Sequence, residues 1–122
     1  MELTGKNLIR GAQRAEGKET FTSVHAATGN ALDHTFYEAT DEEIDDAVLG
    51  AAAAFEAFSK APHTLRAKFL RTIAQEIEHL GDVLLETASQ ETGLGLERLR
   101  GERMRTMNQL KTESRFLACR LK

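Results

Sequence analysis

Thr40-Asp41-Glu42-Glu43-Ile44-Asp45-Asp46-Ala47-Val48-Leu49-Gly50-Ala51-Ala52-Ala53-Ala54-Phe55-Glu56-Ala57-Phe58 is the stretch where the chain changes period. A threonine followed three residues later by glutamate is a capping box, in which hydroxyl and carboxylate each accept a backbone amide that the first helical turn leaves unpaired. The acidic residues suit the positive end of a helix. Ile44, Val48, Ala51, Phe55 and Phe58 then recur at helical spacing, so a helix is expected from Thr40 to about Lys60. The acidic run from Asp41 to Asp46 reads as a solvated first turn, not as a metal site.

Working toward the C-terminus, Pro62 suits a first helical turn, and Leu65, Phe69, Ile73, Ile77 and Leu80 form a second stripe that Gly81 ends. Asp82 is positioned to cap a shorter continuation through Leu84, Leu85 and Ala88 to the break at Thr92-Gly93. A final helix is expected over about Leu96 to Leu121. Toward the N-terminus, Asn7-Leu8-Ile9-Arg10-Gly11, Thr20-Phe21-Thr22-Ser23-Val24 and Ala31 to Tyr37 alternate in the manner of strands, with turns at Glu16-Gly17-Lys18 and Thr28-Gly29-Asn30. The expected fold is mainly α with a small N-terminal β-meander: residues 1–39 form the β part and 40–122 the helical part.

Composition narrows the function. The net charge of −3 lacks the overall basicity that nucleic-acid binders use to neutralise phosphates. Charge is uneven: residues 1–61 hold 5 Lys/Arg against 11 Asp/Glu, and residues 62–122 hold 11 against 8. Complementary halves fit packing within one assembly. With 6% aromatics and no Trp, the helices are expected to bury one face each rather than build a thick core. A single cysteine, Cys119, excludes an internal disulfide and a multi-cysteine metal site. No apolar run is long enough for a bilayer span, and Met1-Glu2-Leu3-Thr4-Gly5-Lys6 is not a secretory leader. A cytoplasmic protein follows, with neither membrane nor nucleic acid as partner.

The motifs that invite chemistry mostly have plainer readings. Gly93-Leu94-Gly95 lacks the third glycine and preceding strand of a dinucleotide loop, and reads as a connector between helices. His25, His34, His63 and His79 lack the close spacing of a metal pair. Cys119 reads as a small packed hydrophobe. The last helix is basic, and its Arg100, Arg103 and Arg105 are expected to snorkel, to pair with the acidic half, or to meet an acidic substrate.

Glu91-Thr92-Gly93-Leu94, Gly101-Glu102-Arg103 and Arg105-Thr106-Met107-Asn108-Gln109-Leu110 carry a resemblance. With Asn7-Leu8-Ile9, Ala27-Thr28-Gly29, Ala39-Thr40 to Phe58 and Arg66 to Asp82, they resemble in order the N-terminal part of the aldehyde dehydrogenase superfamily, over nearly all of residues 7–110. The branch oxidising α-ketoglutarate semialdehyde is the most similar. Departures are Ala26 and Gly95 where proline is usual, and Thr112-Glu113-Ser114-Arg115 in place of a Phe-Ala continuation after Lys111.

The resemblance implies a parent enzyme of α/β fold in which a cysteine thiolate attacks the aldehyde, hydride passes to NAD or NADP, and a Glu-activated water releases the acid. It places those residues beyond Lys122, so this chain is expected to hold no catalytic, cofactor-binding or metal-binding residue, and to be inactive alone. It also aligns Arg105 with a tunnel-lining position, where a planar guanidinium suits the far carboxylate of a dicarboxylate-derived aldehyde; a surface or interdomain salt bridge is the other reading. The expected partners are the remainder of the enzyme or further copies of the chain. The competing class is a stand-alone helical interaction module.

Overall fold

The computed structural model describes residues 4–119. Four short strands precede four helices: β1 (Asn7–Ile9), β2 (Ala12–Arg14), β3 (Thr20–Val24), β4 (Ala31–Tyr37), α1 (Asp41–Phe58), α2 (His63–His79), α3 (Gly81–Thr92) and α4 (Leu96–Cys119). They form two compact units that part between Lys60 and Ala61. The fold is mainly helical with an N-terminal β region, as the sequence leads one to expect.

The meander resolves into two separate antiparallel hairpins, β1-β2 and β3-β4. Sequence reading missed β2, because Ala12-Gln13-Arg14 has no β-branched or aromatic residue to mark it. The turn forms the hairpin instead: Arg10 (φ 52°) and Gly11 (φ 79°) both adopt left-handed backbone, so Ile9 pairs Ala12 across a two-residue loop. In the longer hairpin Phe21 stacks on Phe36 with ring centroids 5.3 Å apart, on paired positions of β3 and β4.

The capping box of α1 forms in full. Thr40 Oγ1 accepts from Glu43 N at 3.2 Å, and Glu43 Oε2 accepts from Thr40 N at 3.0 Å. The expectation of a solvated first turn is corrected at Glu43, which is 1% exposed. Its second oxygen accepts from Glu16 N at 3.3 Å, so one carboxylate fastens the segment after β2 to the start of the helix. One turn on, Asp46 takes Arg10 at 2.8 Å and Arg14 at 2.9 Å, bringing both ends of the β1-β2 hairpin onto α1.

Glu42, wholly at the surface, has its carboxyl held below the ordinary range, first by its own backbone N–H and second by the Thr40 hydroxyl. A carboxylate depressed in the folded state contributes stability above its unfolded pKa and loses that contribution as pH falls through the folded one. Acid titration followed by helical circular dichroism therefore shows a smaller loss between those values in Glu42→Gln than in the parent. Coincident curves would contradict it.

In the second unit Pro62 is the N-cap of α2 rather than part of its first turn, because its ψ of 145° is extended rather than helical, so the helix begins at His63. α3 follows α2 directly, with Leu80 serving as C-cap of one and N-cap of the other. Asp82 consequently lies inside the first turn of α3 and is not its cap. Gly93, at φ 72°, closes α3 with left-handed backbone, and Gly93-Leu94-Gly95 is the helix connector anticipated. The predicted end of α4 at Leu121 falls outside the described residues, as do Arg120 and Lys122.

α2 and α4 pack antiparallel. Arg71 meets Ser114, while Gln75, four residues later, lines the same hollow as Lys111, three residues earlier. The seam is made of small groups: Ala67 and Ala74 on α2 are fully buried, and so is Ser114 on α4, with Met107 one heptad before it. The predicted apolar stripe of α2 is therefore not its most buried face, since Leu65 and Phe69 remain about half exposed.

Candidate functional site

The last helix carries the arginines for which the sequence left three roles open, and the structure separates them. Arg100 pairs with Glu97 one turn earlier on the exposed face of α4. Arg103 donates from Nη1 to Gly81 O at 2.7 Å, tying α4 to the first residue of α3. Arg105 has neither a hydrogen bond nor an ion pair among the described residues. It lines a shallow hollow of about 430 Å³ with Glu102, Thr106, Gln109 and Leu110.

Spacing explains the hollow. Glu102, Arg105, Thr106 and Gln109 sit three or four apart and share one side of the helix. Arg105 offers a planar fork of donors, Thr106 a hydroxyl and Gln109 an amide, beside the apolar Leu110. Gln109 Nε2 already donates to Glu113 Oε1 at 2.8 Å, which fixes its amide on this face. Such an arrangement can bind a carboxylate at one end of a small molecule. It contains no nucleophile.

The remaining candidates disperse. Cys119 is exposed rather than packed, which corrects the reading of it as a buried small hydrophobe; it shares a hollow with Thr112, Arg115 and Phe116, and Phe116 is itself 65% exposed. His25 Nδ1 accepts from Ala27 N at 3.2 Å within the β3-β4 turn. His79 lies at the surface, 3.9 Å from Glu76. The buried Nδ1 of His63 has no hydrogen-bond partner among the described residues. No group of three metal-ligating side chains occurs among the described residues, and no described helix is long and apolar enough to cross a membrane.

Sequence reasoning missed two positions that organise the units, Asp46 and Ser114. The pairing of Asp46 with Arg10 and Arg14 depends on a hairpin turn that brings distant residues together, so no local pattern announces it. Ser114 lies seven residues after Met107, a spacing that marks one buried face of α4, but a serine gives no apolar signal.

Residues 13–118 match the sequence model of the aldehyde dehydrogenase family. The chain is 42% identical over 119 residues to the alpha-ketoglutaric semialdehyde dehydrogenase of Acinetobacter baylyi, covering 95% of this chain and 22% of that protein. It is 39% identical over 125 residues to alpha-ketoglutaric semialdehyde dehydrogenase 2 of Azospirillum brasilense, covering 97% of this chain and 24% of that one. The chain thus spans about a quarter of the length of these curated relatives. Among solved structures it resembles a point mutant of Staphylococcus aureus betaine aldehyde dehydrogenase in complex with NAD+, at a TM-score of 0.85 and 24% identity over 94% of this chain and 24% of that one. The NAD-dependent benzaldehyde dehydrogenase of Corynebacterium glutamicum is similar at a TM-score of 0.85 and 18% identity, over 96% of this chain and 26% of that one.

Proposed function

The chain belongs to the aldehyde dehydrogenase family, and from that membership we propose that it is the N-terminal part of an enzyme oxidising alpha-ketoglutaric semialdehyde, or a similar semialdehyde, to the acid with NAD or NADP. The two relatives near 40% identity support the substrate class, and the solved structures, one in complex with NAD+ and one of an NAD-dependent enzyme, support the cofactor. The observation that carries the reading within these residues is Arg105, the one of the three central arginines of α4 left without an internal partner among the described residues. Its guanidinium recognises the carboxylate remote from the aldehyde, which an unsubstituted aldehyde lacks.

In this proposal the nucleophile, the general base and most of the cofactor site belong to the rest of the enzyme. The 122 residues alone turn over no aldehyde, and their partner is that remainder or, without it, a second copy of the chain. The setting is cytoplasmic, in keeping with the single cysteine.

The test is a chimera in which residues 7–110 replace the matching stretch of the Acinetobacter baylyi relative. Arg105→Gln in the chimera raises KM for the semialdehyde by about tenfold to a hundredfold, the worth of a charge-assisted pair, and leaves a simple aliphatic aldehyde unaffected. Equal effects on both substrates would remove Arg105 from recognition. Aldehyde oxidation by the pure 122-residue chain would refute the assignment of the chemistry to the remainder.

A further inference from the structure

A second cationic hollow lies on the α2–α4 seam, and its residues take no part in the Arg105 groove. Arg71, Gln75, Lys111, Ser114 and Arg115 line a recess of about 240 Å³. Arg71 Nη1 donates to Ser114 Oγ at 2.7 Å, and Ser114 is fully buried, so the guanidinium is held in place by a neutral acceptor. None of Arg71, Lys111 and Arg115 forms an ion pair among the described residues. Of the nearby carboxylates on the same two helices, Glu113 accepts from Gln109 and Glu76 faces His79.

Three like charges around one recess repel one another, and a group that neutralises them is favoured by all three at once. The recess exceeds the volume of a single water, roughly 30 Å³ in the liquid, several times over, so a small ion with part of its hydration shell has room. The Gln75 amide adds a neutral donor beside the cations.

We propose that the recess binds a small dianionic oxyanion of the phosphate class, either free or as the terminal phosphoryl group of a monoester. The proposal does not depend on the semialdehyde reading.

The test is calorimetric titration of the 122-residue chain with inorganic phosphate, and separately with methyl phosphate, at ionic strength held constant with sodium chloride. Arg71→Gln breaks the contact to Ser114 and endangers the fold, so Lys111→Gln and Arg115→Gln, whose side chains make no internal bond among the described residues, are the deciding variants. One phosphate per chain is expected, weakened about tenfold by each substitution. Tighter binding of methyl phosphate would assign the site to a phosphoryl group on a larger molecule, and tighter binding of inorganic phosphate to the free ion. Binding unchanged in the double variant, or no heat beyond that of the chloride control, would overturn the proposal.

Discussion

Replacing Glu43 by alanine lowers the stability of the unit ending at Lys60 by about 2–6 kcal/mol, from two stranded amides at about 1–3 kcal/mol each. The amides are those of Thr40 and Glu16, both bound to the one buried carboxylate. A unit of this size has little stability in reserve, so the substitution removes much of what holds the hairpins to α1. Urea unfolding combined with amide exchange at Thr40 and Glu16 measures the effect. Glu43→Gln keeps one acceptor oxygen and is expected to lose about half as much. A midpoint within error of the parent for Glu43→Ala would show that the carboxylate is dispensable.

Enlarging Ala74 to leucine costs about 1–3 kcal/mol, because a fully buried alanine on the α2 seam leaves no room for three further carbons. Thr72→Leu, on the exposed side of the same helix, is the control and stays within about 0.5 kcal/mol. Exchange at the Met107 amide reports whether the strain reaches α4. Equal effects from the two substitutions would mean that α2 and α4 do not pack through their small residues.

Legibility in the sequence followed the range of the interactions. The capping box at Thr40 and Glu43, the break at Gly93 and the helix start at Leu96 are local, and all three are found where the pattern puts them. The burial of Glu43 was not legible, because it depends on Glu16 arriving from a segment 27 residues away. The stripes were legible as periodicity, but not in what they face. Val48, Phe55 and Phe58 on α1 and Leu65 and Phe69 on α2 keep their helical spacing and remain exposed, Phe55 at 68%. Of the site, the arginines of α4 were visible from composition, whereas the separation of Arg105 from Arg100 and Arg103 required Glu97 and Gly81 in three dimensions.

The exposed apolar side chains govern how the chain behaves on its own. Phe55, Leu65, Met104 and Phe116 are all more than half exposed. Apolar surface gains roughly 25 cal/mol per Å² when covered, so faces of this extent favour association. In the proposed enzyme the rest of the polypeptide is expected to cover them; alone, the chain is expected to cover them with its own copies.

Sedimentation velocity of the purified 122-residue chain across a concentration series tests this most directly. A weight-average sedimentation coefficient that rises with concentration is expected, as copies bury one another's apolar stripes. A strictly monomeric species at the highest concentration, cooperatively folded and binding no hydrophobic dye, would contradict it and favour a self-sufficient helical interaction module.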